Sequence, residues 1–159
     1  MNYVEVELHH RKLRVYASGI VHVKRKHNDE YYLKAVKKHS GGYRQLTLYY
    51  QKVRKYYYVH RIVGYAYHGL DIDDPEDEID HINRIRHDNR VENLRPSTRQ
   101  QNQWNNNAKG YTWDDHAQTW KVQIQLNGKT IYLGRFKKQD EQLASDCYQQ
   151  AKLKYHIIE

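Results

Sequence analysis

Between residues 79 and 102 the chain reads IDHINRIRHDNRVENLRPSTRQQN, and several of its side chains have the types that do chemistry on phosphate. The Asp80 carboxylate and the Asn102 amide carbonyl are hard oxygen donors suited to Mg²⁺, which keeps several waters and takes further ligands from phosphate. An imidazole at His81, beside such a cation and not on it, could take a proton from water. Arginines at 84, 86, 95 and 99 are available for phosphate contact, and Arg95 and Arg99 flank the segment that carries Asn102. The same residues strewn along a solvated connector would do nothing, so the elements around them decide the matter.

Asp80 and His81 are adjacent, so on a regular strand their side chains point to opposite faces, and a distortion would be needed to make them converge. Downstream, Ser97 or Thr98 followed three residues later by Gln100 or Gln101 forms a capping box, which predicts a short helix with Asn102 on its second turn. Upstream, Val59, Ile62, Val63, Ala66 and Tyr67 recur at helical spacing until Gly69, which predicts one core helix. His60 begins that helix, where packing is its simpler role, and His87 is an expected loop residue. An acidic run, DIDDPEDE (71–78), separates the helix from Asp80 and reads as a solvated loop.

The first fifty-eight residues favour strands. VEVEL alternates, KLRVYASGIVHVKRK breaks at Gly19, and GYRQLTLYYQ and KYYYV are rich in Tyr, Thr and Val, so an antiparallel sheet with basic loops is expected. The formal charge is +8, with 27 Lys and Arg against 19 Asp and Glu. Residues 1–50, 80–107 and 108–159 are each basic, and only 51–79 is acidic. Cations interleaved with Tyr, His, Asn and Gln suit a phosphate-lined partner. Sixteen tyrosines and three tryptophans supply the burial that scarce Leu and Phe do not, so the chain is expected to fold. The lone Cys147 excludes an internal disulfide and a Cys-rich zinc site, and a reducing compartment is the simplest reading. Neither a membrane span nor a secretory signal is expected, because no apolar run approaches the length either requires.

The order Asp80-His81, eleven residues, Asn93-Leu94-Arg95, six residues, Asn102 resembles the HNH endonucleases with a ββα-metal fold, in particular the phage and intron homing type. The preceding VHRIVGYAYHG resembles the helix those proteins place before the motif, and the resemblance covers about residues 42–106. It implies that Asp80 and Asn102 hold one divalent cation, Mg²⁺ or Mn²⁺, per active site. It implies further that His81 is the general base and that Asn93 holds the motif loop and so orients His81. Asn at position 102, where other branches have His, moves the site toward Mg²⁺ and away from Zn²⁺ or Ni²⁺. Many relatives have an Asp-Gly turn shortly after the histidine, whereas this chain has Asn83-Arg84, so a looser turn is expected.

Beyond the linker-like QWNNNAKG (103–110), WKVQIQL and KTIYLGRF flank Asn127-Gly128, a strong hairpin signal, with GYTWDD as a third strand. Leu143, Ala144, Cys147, Tyr148 and Ala151 mark one face of a following helix from about Gln139 to Lys154. Gly110, Trp120, Val122, Ile124, Leu133, Gly134 and Phe136, together with that helix, resemble the Apetala/ethylene-response type of DNA-binding domain. Strand alternation then leaves Lys121, Gln123 and Gln125 outward, toward phosphates and base edges. At the other end, Lys24, Arg25 and Lys26 are candidate phosphate contacts.

The expected architecture is α+β: an N-terminal antiparallel sheet (1–58), a central ββα-metal nuclease core (59–107), and a C-terminal three-stranded sheet plus one helix (108–159). The expected function is metal-dependent hydrolysis of double-stranded DNA, site-preferring and nicking. A non-catalytic DNA-binding protein that uses the same fold as scaffold is the alternative, and a nonspecific degradative nuclease a further one. The resemblance to the phage type implies a protein acting in the cytoplasm of a bacterial host, with no oligomeric partner evident.

Overall fold

The structure, a computed structural model, describes residues 2–157. The chain divides into two compact units, Met1–Asn102 and Gln103–Glu159.

In the first unit, β1 (Tyr3–Leu8), β2 (Arg11–Tyr16), β3 (Val21–Lys24) and β4 (Tyr31–Leu33) form an antiparallel sheet in chain order. A second sheet joins β5 (Lys37–Lys38), β6 (Arg44–Tyr50) and β7 (Val53–Tyr58). Period-two alternation buries Leu13 and Val15 of β2, Val21 and Val23 of β3, and Leu46 and Leu48 of β6. The helix α1 (Val59–His68) starts where β7 ends, buries Val59, Ile62 and Val63, and closes at Gly69, as its spacing predicts. The hairpin of β8 (Glu78–His81) and β9 (Leu94–Ser97) adds Ile79 and Leu94 to the same core. Residues 58 and 59 therefore do not separate two cores. Neither sheet nor hairpin has an apolar face large enough to close on itself, and all of them bury that face around α1.

Contact between α1 and β8 needs a residue without a side chain. A Cβ at Gly64 would stand 2.5 Å from Ile79 Cγ1, so the helix can approach the strand that carries Asp80 and His81 only because this position is glycine.

The acidic loop after α1 holds a cation of the chain's own. Arg61 donates to the carbonyl oxygens of Asp77, Asp71, Ile72 and Asp74 at 2.6–3.3 Å, so the loop wraps a guanidinium through its backbone. Asp71 and Asp74 side chains accept from the backbone of Asp73 and Glu76, and Asp73 pairs with Lys55. These bonds shape the run that leads into β8.

The second unit contains β10 (Tyr111–Asp114), β11 (Thr119–Leu126) and β12 (Lys129–Phe136) in an antiparallel sheet, backed by α3 (Glu141–Tyr155). Asn127 and Gly128 both take positive φ in the β11–β12 turn, as that pair predicts. Val122, Ile124, Ala144, Tyr148 and Ala151 form its core. Leu143, expected on the buried face of α3, is 55% exposed: the buried positions 144, 148 and 151 are a narrower stripe than the sequence pattern suggests. Trp113 lies across from Trp120 with ring centroids 5.0 Å apart. The segment expected as a plain linker is partly built in, since Trp104 stacks on His156 at 4.6 Å and Lys152 donates to the Asn106 carbonyl. Among the described residues no helix is long and apolar enough to cross a membrane.

Candidate active site

The motif is carried by the β8–β9 hairpin, a short 3₁₀ turn at Val91–Asn93, and α2 (Arg99–Trp104). The β8–β9 ladder runs in unbroken register from Glu78↔Ser97 to His81↔Leu94, so the Asp80 and His81 side chains point to opposite faces, as on any regular strand. Ile79 and His81 face α1, whereas Glu78 and Asp80 share the opposite face. Asp80 is 3% exposed and His81 4%.

His81 sits among aromatic rings. Its centroid is 5.1 Å from His60 and 5.9 Å from Tyr43, and Tyr58 stacks on His60 at 5.6 Å. His81 Nε2 lies 3.1 Å from Asn89 Oδ1. An amide oxygen only accepts, so this pairing selects the tautomer protonated at Nε2 and makes Nδ1 the basic nitrogen. Burial lowers the His81 pKa, against the raising effect of the Asn89 bond and of Asp80 and Asp88, and this favours the neutral imidazole near pH 7. His60, buried beside it, is pushed down to about 3, by burial first and then by the neighbouring His81 and Arg61.

Asn93 spans the loop between the strands. Its Oδ1 accepts from Asn83 N at 3.0 Å, its Nδ2 donates to Asp88 O at 2.8 Å, and its carbonyl accepts from Ile82 N. The turn expected to be loose is closed: Arg84 N donates to His81 O at 2.8 Å, and Arg84 adopts a φ of 63°. A left-handed arginine costs about 1 kcal/mol relative to glycine there, which the four Asn83 and Asn93 side-chain bonds offset.

Asn89 owes its position to the N-terminal sheet. Val91 N donates to Ala17 O at 2.8 Å, and a Cβ at Gly19 would stand 2.7 Å from the Asn89 carbonyl oxygen. The β2–β3 turn thus braces the residue that orients His81. Sequence reading missed Asn89, and its only signal was a third asparagine within reach of the loop.

On the other face, Arg95 donates from Nε and Nη2 to Asp80 Oδ2 at 3.0 and 2.7 Å. Arg95 was expected to point at phosphate; instead its cross-strand position opposite Asp80 turns it inward to neutralise a buried carboxylate. Asn102 Nδ2 donates to Glu78 Oε2 at 2.6 Å, which makes Oδ1 the arm of that amide able to ligate. The helix that carries it is capped as predicted, with Gln101 N donating to Thr98 Oγ1 and Thr98 N to Gln101 Oε1. The donor set on this face, a buried carboxylate with an amide oxygen beside a second carboxylate, fits a hard divalent cation that completes its shell with water and phosphate.

Arg99 is exposed at the start of α2. Lys24, Arg25 and Lys26 line a cleft of about 790 Å³ with His10, Arg11 and Tyr50; Lys24 pairs with Asp29 at its rim, and Lys26 is exposed. In the second unit Lys121, Gln123 and Gln125 fall on the sheet face away from α3, opposite Arg135, Tyr132 and Thr130. Arg135, which sequence reading did not single out, crosses that face to Asp114 and Thr119.

Residues 57–104 match the model of the family described as HNH endonuclease. The matched segment runs from the end of β7 through α1 and the β8–β9 hairpin to α2, and the match supports a nuclease role. The match covers less than a third of the chain. A solved structure described as "DNA binding and cleavage by the HNH homing endonuclease I-HmuI" is similar, with a TM-score of 0.49 and 20% identity, over 76% of this chain and 70% of that one. No curated protein matches the chain.

Proposed function

We propose that the chain is a divalent-cation-dependent endonuclease that nicks double-stranded DNA at preferred sites. The observation that carries this reading is His81: a buried, neutral imidazole whose Nε2 is held by Asn89, at the end of a strand whose other face presents Asp80. Nδ1 takes a proton from water as its oxygen bonds to phosphorus and the bond to the 3′ oxygen breaks, leaving a 5′ phosphate and a 3′ hydroxyl protonated from solvent. General-base assistance of this kind contributes about 10²–10⁴-fold. Asp80 and Asn102 would hold Mg²⁺ or Mn²⁺, which when bound stabilises charge on the phosphoryl and leaving oxygens. Asn93 fixes the loop and Asn89 the imidazole, so the base arrives already oriented.

Lys24, Arg25, Lys26 and Arg99 supply phosphate contacts, and the outward sheet face of the second unit, with Lys121, Gln123 and Gln125, supplies site preference as an Apetala-type reader. One motif per chain favours nicking over a double-strand cut. The test is incubation of supercoiled plasmid with wild type and with Asp80→Ala, in Mg²⁺ or in EDTA. Nicked circles are expected only from wild type with Mg²⁺; equal nicking in EDTA would overturn the cation requirement.

The Asp80–Arg95 ion pair favours a second reading, in which the carboxylate is committed to the fold and the chain binds DNA without cutting it. Plasmid retarded on a gel but left supercoiled in Mg²⁺ and in Mn²⁺ would establish that reading instead.

A further inference from the structure

The loop that follows His81 shows two large aliphatic side chains to solvent: Ile82 is 44% exposed and Ile85 45%. Single exposed isoleucines are ordinary, but these two stand on a loop that is otherwise polar and built to be rigid. Asn83 N is tied to Asn93, Asn83 Nδ2 to Asp88, Ile85 N to Asn83 Oδ1, and Arg86 to the Gly41 carbonyl. A loop so pinned cannot fold its isoleucines back into the core, and it keeps them at the surface. Arg84 and Arg86 alternate with them, and His81 is the residue just before.

An apolar pair interleaved with guanidiniums is complementary to a partner that is anionic outside and apolar between its stacked planes. Nucleic acid has both, and apolar wedges between base steps are an established way to unstack and kink a duplex. We propose that Ile82 and Ile85 form a wedge against the base pairs flanking the phosphodiester that His81 addresses, unwinding the duplex there. The wedge rests on the reading of this site as DNA-directed, and it adds a deformation step that does not depend on a cation.

The test needs neither the target site nor cleavage. Relaxed plasmid is incubated with excess protein in EDTA, treated with a topoisomerase that needs no metal, stripped of protein, and its topoisomers resolved. Wild type is expected to shift the distribution toward negative supercoils in proportion to bound protein. Ile82→Ser and Ile85→Ser are each expected to reduce the shift at matched occupancy on a retardation gel, and the double variant to abolish it. Should Ile82→Ser fail to fold, Ile85→Ser, further from β8, carries the test. A wild type that saturates the plasmid without moving its topoisomers, or a double variant that moves them as far as wild type, would overturn the wedge. Unwinding without Mg²⁺-dependent nicking would overturn the endonuclease reading and leave the wedge standing; absence of any binding overturns both.

Discussion

His81 takes its chemical character from residues spread along the whole first unit, and Asn89 is the clearest of them. Replacing Asn89 with Ala removes the acceptor of the Nε2 proton, so the imidazole loses both its tautomer and its orientation. A drop of about 10–10²-fold in single-turnover cleavage is expected, since the base is misdirected but present, with an unchanged circular dichroism spectrum. His60 gives a separate test, on stability. Its folded pKa of about 3 lies below the ordinary histidine value, so as pH falls from about 6.5 the unfolded chain takes up a proton that the folded chain refuses. The stability tied to its neutral state is complete above that range and is lost progressively toward pH 3, on the order of a few kcal/mol. Urea denaturation between pH 7 and 4 should show His60→Phe losing less stability on acidification than wild type.

At the scale of elements, the α1–β8 contact governs where Asp80 and His81 stand. Gly64→Ala is expected to cost about 1–3 kcal/mol, because the new methyl meets Ile79 at less than a contact distance and both sides are packed. Cleavage by the folded fraction should fall as well if His81 is the proposed base, since the displaced strand ends in that residue. The local elements were legible in the sequence: the capping box of Thr98 and Gln101, the Asn127-Gly128 hairpin, and α1 up to Gly69 each follow from short-range chemistry. The long-range partners were not. Arg61 is held by backbone carbonyls, which no residue type announces, so DIDDPEDE showed only its carboxylates. Arg95 depended on β8–β9 register, and the turn at Arg84 on side-chain bonds from Asn83 and Asn93 that made a glycine unnecessary.

For the whole molecule, two cores with no shared residue imply two separable stabilities. Ile124→Ala is expected to cost about 2–5 kcal/mol in the second unit, while Mg²⁺-dependent nicking persists with broader site choice. A protease digest of that variant should spare the first unit and degrade the second; loss of both together would contradict independent cores. The N-terminal sheets share one core with α1 and the motif hairpin, a long-range grouping that the strand and helix patterns of the sequence do not announce.

The central claim is that His81 supplies the base for phosphodiester hydrolysis. It is tested most directly by the single-turnover rate of nicking in Mg²⁺ for wild type and His81→Ala at saturating enzyme, with binding verified on the same duplex. The account expects equal binding and a rate lower by about 10²–10⁴-fold in the variant; nicking by His81→Ala at the wild-type rate would contradict it.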